Sequence, residues 1–175
     1  MDKIHGENAR NGVSKLGIAL LMLTIIVLFT TLGAAFVRAN KHIQFELPVL
    51  FYINTLILLG SSIFLHMAWT GKQEDKARLF VSLAVIFGLG FLISQGIAWG
   101  QLYGSGIDLA NSGQMASYLY VLTGLHALHI VGGLGFLAYV YFAYEGKGKN
   151  YLESALFFWH FLGLLWIYLI CLLLI

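Results

Sequence analysis

Two histidines, His126 and His129, are the residues whose type and spacing come closest to a chemical site. Three residues apart on a helix, they lie about 60° apart and share one face. Imidazole is costly inside a bilayer, so such residues usually face a partner or a polar cavity. One interpretation makes them haem or metal ligands, with His66 or His160 as a second ligand from a facing helix. The favoured interpretation is hydrogen bonding to neighbouring helices or to another subunit, because metal-binding pairs on one helix are more often four residues apart.

Glycines surround this pair. Gly124 and Gly135 fall on the opposite side of the helix, where missing side chains let another helix approach closely. Gly133, one turn after His129, leaves room on the histidine side as well. We therefore expect protein contacts on both sides of this helix.

A second polar group lies near the end of the sequence, where Glu153 precedes His160 by seven residues and so shares its helix face. Trp159 and Trp166 have the same spacing. Glu153 is expected to cap the N-terminus of its helix, where a negative charge is stabilised. For His160 we expect a hydrogen bond to another helix.

The composition is that of an integral membrane protein. Of the 175 residues, 59% are hydrophobic and 10% are charged, against about 25% charged in a typical soluble domain. The few basic residues are scattered over the predicted loops, so no nucleic-acid partner is expected. Cys171 is the one cysteine, which excludes an intrachain disulfide and a cysteine metal motif.

The pattern of apolar runs predicts an all-α, polytopic membrane protein. A polar arm, residues 1–15, precedes a single domain, residues 16–175, with five transmembrane helices long enough to cross about 30 Å of hydrocarbon. Pro48 is expected in the first turn of the second helix, and residues 145–153 are expected to form a turn. The predicted spans are about 16–37, 47–69, 79–99, 118–143 and 154–175.

The basic residues also predict the orientation. Eight Lys and Arg residues flank the spans on one side, and two, Arg38 and Lys41, flank them on the other. Since cytoplasmic loops are enriched in Lys and Arg, the N-terminus is expected in the cytoplasm and the C-terminus outside.

The predicted spans hold no Asp, Glu, Lys or Arg near their centres. A proton-coupled transporter normally keeps a carboxylate or a broken helix near mid-membrane, and a voltage sensor needs a series of arginines. Ser94 and Gln95 are the strongly polar neighbours within the third span, a pattern typical of helix–helix contacts. These features indicate one component of a larger assembly, without a catalytic centre of its own.

Two motifs resemble subunit III of the haem–copper respiratory oxidases. Thr-Gly-Leu-His-Ala-Leu-His at 123–129, with Gly132 nearby, resembles the family's T-G-x-H-x-x-H-x-x-x-G signature. Glu153, Trp-His-Phe at 159–161 and Trp166 are similar to its E-x(5)-W-H-F-x-D-x-x-W pattern. Weaker agreement is found at Pro48, Asn54, Thr55, Ser61, Ser62, Gln95 and Gly113.

This resemblance implies a non-catalytic subunit in the plasma membrane of a prokaryote, acting in aerobic electron transport. Such a subunit binds no haem or copper, which belong to the catalytic subunit I. It packs on subunit I, stabilises it, assists proton uptake and holds phospholipid in a cleft. Other oxidase subunits, membrane lipids and a larger respiratory supercomplex are further expected partners. The signature residues would serve packing and polar contacts: Gln95, Gly124, His126, His129, Glu153, Trp159, His160 and Trp166.

Three departures from the family pattern matter. Ile25 stands where many members carry a glutamate, which argues against a direct role in handling protons. Gly163 replaces an aspartate, so His160 lacks a nearby carboxylate. The five predicted spans match the last five of the seven in longer members, so one wall of the lipid cleft must come from elsewhere.

Two alternatives remain open at this point. A related subunit attached to a nitric oxide reductase would share the same signature. A small haem-b electron carrier would use His126 or His129 together with His66 or His160.

Overall fold

A computed structural model describes residues 2–39, 47–71, 73–107, 109, 113–142 and 144–174. Within these ranges the chain is helical, without strands, which confirms the predicted all-α class. The five helices are α1 (Asp2–Ala39), α2 (Val49–Thr70), α3 (Glu74–Gly104), α4 (Gly113–Phe142) and α5 (Tyr144–Leu173).

Within the described residues, each of the five helices contains a segment long and apolar enough to cross a membrane, in agreement with the five predicted spans. The shortest of these segments has 22 residues, and about 20 apolar residues are needed. The direction in which the chain crosses the membrane stays a prediction. The segments are Lys15–Ala39, Val49–Thr70, Lys76–Gly104, Gly113–Phe142 and Tyr151–Leu173.

The observed helix boundaries differ from the predicted ones where the sequence is polar. The N-terminal arm is helical from Asp2 and continuous with the first span. Residues 145–153, expected as a turn, belong to α5, which begins at Tyr144. Glu, Lys and Leu are good helix formers, so the backbone hydrogen bonds continue beyond the apolar run. Pro48 directly precedes α2 instead of lying in its first turn, and its carbonyl accepts the Phe51 N–H at 2.9 Å.

The helices pack around α5, which contacts α1, α2 and α4, while α3 packs against α2 and α4. Trp159 and Trp166 of α5 are among the largest fully buried side chains, together with Phe29 of α1, Phe51 of α2 and Phe91 of α3. Burial of these rings supplies much of the contact area between helices.

Two glycines make room for Trp159. A Cβ atom on Gly88 of α3 would lie 2.9 Å from the Trp159 ring, and one on Gly133 of α4 would lie 3.0 Å from it. Both distances are shorter than an ordinary carbon–carbon contact, so the indole fits between α3 and α4 only because these side chains are missing. In contrast, a Cβ on Gly124 or Gly135 would meet no described atom within 4 Å. The neighbour expected on that side of α4 is therefore not another described part of this chain.

Candidate functional site

The first signature tryptophan joins three helices. The Trp159 indole N–H on α5 donates to Ser61 Oγ on α2 at 3.0 Å. Ser61 in turn donates to the Ala84 carbonyl on α3 at 2.8 Å. Trp159 and Ser61 are both buried, so each polar atom is satisfied inside the bundle, as a low-dielectric interior requires.

The second signature tryptophan, Trp166, makes a similar connection seven residues further along α5. The Trp166 N–H donates to Thr55 Oγ1 on α2 at 3.1 Å, and Thr55 donates to the Phe51 carbonyl at 3.2 Å. The indole ring is stacked on Phe51, with centroids 5.8 Å apart, and meets the Phe91 ring edge-on at 5.0 Å. Trp166 therefore fixes α5 against both α2 and α3.

A third tryptophan completes the set, although the sequence motifs did not single it out. Trp99 of α3 donates through its N–H to Thr123 Oγ1 at 3.0 Å, and Thr123 donates to the Leu119 carbonyl at 2.8 Å. Thr123 is the first residue of the histidine signature. The sequence signal that could have identified Trp99 is its indole N–H, which lies on the span next to α4 at the same membrane depth as the Thr123 hydroxyl.

Gln95 pairs with a residue of α2. Asn54 Nδ2 donates to Gln95 Oε1 at 2.8 Å, and both side chains are fully buried. Asn54 Oδ1 and Gln95 Nε2 have no hydrogen-bond partner among the described residues. Gln95 therefore forms a contact between α2 and α3, as its position within the third predicted span indicated.

His126 lies in the aromatic core. Its ring centroid is 5.1 Å from that of Trp166 and 5.7 Å from that of Phe91, and the side chain is fully buried. Neither ring nitrogen forms a hydrogen bond within the described part of the chain. The observed contacts of His126 are therefore packing contacts with aromatic rings.

His129 has a different environment, one turn further along α4. Its Nδ1 lies 2.7 Å from the Leu125 carbonyl of its own helix, and its ring meets Phe29 of α1 at 5.7 Å. The ring contacts of His126 and His129 are thus with different residues. No described ring contact brings either of them to His66 or His160, the pairing that the haem-b alternative requires.

His160 faces α2. Its ring centroid lies 6.2 Å from that of His66, and neither imidazole forms a hydrogen bond within the described residues. The groove beside it also contains Ser62 and Gly163. The interhelical hydrogen bond expected for His160 is not formed with any described side chain.

Glu153 does not cap a helix, contrary to expectation, because α5 begins nine residues earlier at Tyr144. Its Oε2 instead accepts from Lys15 Nζ of α1 at 3.1 Å. This ion pair joins α1 to α5 at one end of the bundle. Since both side chains are partly exposed, it contributes little to stability.

An apolar cleft of about 610 Å³ lies between α1, α4 and α5, on the same side as this ion pair. Gly17 and Ile18 line it on α1, and His129 and Phe136 line it on α4. Phe158 of α5 forms part of its third wall. A cleft of this size and polarity can hold a hydrocarbon chain.

The described side chains contain no group of three or more His, Cys, Asp or Glu residues placed to hold a metal ion. What the site residues do chemically is join helices. Gln95, Trp159 and Trp166 form hydrogen bonds between helices. His126 supplies ring contacts between α3, α4 and α5.

Comparison with known proteins agrees with these features. The family model for cytochrome c oxidase subunit III matches residues 2–175. A probable cytochrome c oxidase subunit 3 of Rickettsia conorii is 28% identical, over 94% of this chain and 68% of that protein. Its counterpart in Rickettsia felis is 27% identical, over 94% and 69%. Cytochrome c oxidase subunit 3 of Mycosarcoma maydis is 31% identical, over 71% and 46%. The chain therefore belongs to the cytochrome c oxidase subunit III family.

Proposed function

We propose that this chain packs against the catalytic subunit I of a haem–copper terminal oxidase and preserves its structure during turnover. Membership of the family confirms the resemblance read from the two motifs, and it makes the chain a non-catalytic component of respiratory electron transport. The observation that supports a stabilising role is the use of the signature residues. Trp159 and Trp166 direct their N–H groups into contacts that hold α5 against α2.

The redox centres belong to partner subunits in this proposal. The subunit III family carries no metal centre of its own. Haem and copper therefore come from subunit I and the other oxidase subunits, which could assemble further into a respiratory supercomplex. With relatives in Rickettsia, we place the assembly in the plasma membrane of a prokaryote.

The apolar cleft between α1, α4 and α5 is proposed to hold a phospholipid. One acyl chain would lie against Leu125 and Phe136, which line the cleft. Lys15 is two residues before Gly17 in the cleft wall and is half-exposed, so its ammonium group is available to a lipid phosphate. Its existing partner, Glu153, would then be shared or exchanged.

Assistance to proton uptake is proposed to be indirect. Ile25, at the position where many family members carry a glutamate, is 2% exposed and packed in the core. An apolar side chain cannot bind or release a proton, so the chain would assist by preserving the structure of the catalytic subunit.

Purification of the tagged chain in mild detergent tests this proposal. We expect a large haem- and copper-containing subunit among the co-purified proteins, with its bands in the reduced-minus-oxidised visible spectrum. Oxygen reduction by the purified complex is expected, in line with relatives named as cytochrome c oxidase subunits. Nitric oxide reduction without oxygen reduction would replace the oxidase with a reductase. Isolation of the chain alone, with a haem-b spectrum, would contradict the proposal.

A further inference from the structure

A groove of about 240 Å³ on the outer surface between α2 and α5 combines polar side chains with an open glycine. Thr55 and Ser62 of α2 and His160 and Gly163 of α5 line it, among leucine and isoleucine side chains. His66 is exposed and lies next to His160. Polar groups inside transmembrane segments are costly when they face lipid, so they usually face protein or a polar cavity.

Three of these side chains have hydrogen-bonding capacity to spare. No hydrogen bond joins the side chain of His66, His160 or Ser62 to any residue that the structure describes. Thr55 differs, because its hydroxyl already accepts from Trp166 and donates to Phe51. The free groups are thus two imidazoles, each carrying one N–H when neutral, and one hydroxyl.

The separation of the two imidazoles indicates what fits between them. Their centroids are 6.2 Å apart, whereas a direct N–H···N bond holds imidazole centroids at about 5.2 Å or less. An oxygen atom that accepts from both rings lies about 4 Å from each centroid, which this separation allows. The separation therefore permits one acceptor oxygen between the two histidines and is too long for a direct bond from one ring to the other.

The height of the groove indicates where that oxygen comes from. His160 lies two residues from the middle of the Tyr151–Leu173 span, and Ser62 lies eight residues from the end of the Val49–Thr70 span, whereas His66 lies four residues from that end. Since the hydrocarbon core is about 30 Å thick, a lipid phosphate at the bilayer surface lies too far from His160 and Ser62. A side chain on a transmembrane helix of another protein reaches them directly.

We propose that this groove receives a carboxylate side chain from a transmembrane helix of another oxidase subunit. His66, His160 and Ser62 donate hydrogen bonds to its two oxygens, since a carboxylate accepts and does not donate. Gly163 leaves the approach open, because an added Cβ would meet only Ser62 Oγ, at 3.7 Å. This inference rests on the proposed function, since it identifies the face that contacts the assembly.

Cross-linking in the intact complex tests the location. A Gly163→Cys variant in a Cys171→Ser background carries one reactive thiol at the groove, which is labelled with a short maleimide–diazirine reagent and irradiated. We expect a cross-link to a transmembrane peptide of another oxidase subunit that contains Asp or Glu. Gly135→Cys is the matched control, since a Cβ there is likewise free of close contacts, with no described atom within 4 Å, but projects from α4. The same product from both variants, or lipid adducts alone from the Gly163→Cys variant, would overturn the proposal.

Retention in the complex tests the chemistry. We expect His66→Phe and His160→Phe each to weaken retention of this chain about tenfold as detergent is raised, because a hydrogen bond to a charged group is lost. Tyr103→Phe, which removes an exposed hydroxyl on α3, should leave retention unchanged. Far-UV circular dichroism of each variant checks that the helices form.

The outcomes separate this inference from the proposed function. If the unmodified chain fails to co-purify with an oxidase, the proposed function fails. If it co-purifies and both histidine variants are retained equally well, only the groove assignment fails. Loss of a bound phospholipid or of a metal ion from the variants, with subunit retention unchanged, would also overturn it, in favour of a lipid or metal site.

Discussion

The indole N–H of Trp159 on α5 donates to Ser61 Oγ on α2 across 3.0 Å. The two residues are separated by 98 positions in the chain, and the indole fits there because Gly88 and Gly133 carry no side chains. One signature residue thus depends on a hydroxyl and two glycines from three other helices. This mutual dependence explains why a residue without a catalytic role can be part of a family signature.

The hydrogen bond itself should be measurable. In a double-mutant cycle of Trp159→Phe and Ser61→Ala, we expect a coupling free energy of about 0.6 kcal/mol, the average found for hydrogen bonds between transmembrane helices, and at most about 1.7 kcal/mol. Unfolding in mixed micelles with increasing denaturing detergent measures it. A coupling free energy of zero would show that the two groups do not interact in the membrane.

The glycines beside Trp159 should resist enlargement. Gly133→Val places new atoms against the Trp159 ring and Leu162, so we expect a loss of about 1–3 kcal/mol in the free energy of unfolding. Gly135→Val, two residues further on the open side of α4, is the control and should change stability much less. Equal destabilisation by the two substitutions would argue against the observed packing of α4 on α5.

Substitution of His126 distinguishes a packing role for this residue from a role as a haem ligand. His126→Ala leaves a cavity beside Trp166 and Phe91, so we expect a loss of about 2–4 kcal/mol and weaker association with the catalytic subunit. His126→Phe should recover most of this loss, because it refills the space and the ring nitrogens have no described protein partner. The visible spectrum of the assembled oxidase measures ligation. If both variants assemble but lose haem absorbance in proportion, His126 is a ligand and not a packing residue.

The ion pair between Lys15 and Glu153 should matter little for stability. The side chains are 55% and 34% exposed, so Lys15→Ala should cost less than about 1 kcal/mol, and the difference should shrink as salt is added. Thermal unfolding at two ionic strengths measures it. A large and salt-independent loss would show that Lys15 is buried in the assembly, against a partner or a lipid phosphate.

Much of the fold follows from hydropathy alone, because long apolar runs have few alternatives to helices in a bilayer. Hydropathy does not locate the end of a helix when that end lies in a polar segment. The segment from Tyr144 to Glu153 contains charged residues and glycines typical of a turn, yet it continues α5. Hydropathy reports where lipid can lie, whereas a helix ends where its hydrogen bonds end.

The sequence identified which residues of the site make contacts between helices, but it identified their partners less well. Trp159, Trp166 and Gln95 were expected in polar or packing contacts and form them. Their partners Ser61, Thr55 and Asn54 lie on α2, and no periodicity within one helix specifies which residues of another helix it meets. Glu153 illustrates the limit, since its role changed once the start of α5 was known.

The stabilising role is tested most directly by activity during turnover. Oxygen consumption of the purified oxidase is followed with saturating electron donor, with this chain present and after it has been stripped by detergent. We expect equal initial rates and unchanged haem spectra, followed by several-fold faster loss of activity in the stripped complex. Identical decay in the two preparations would contradict the central claim that this subunit preserves the catalytic one.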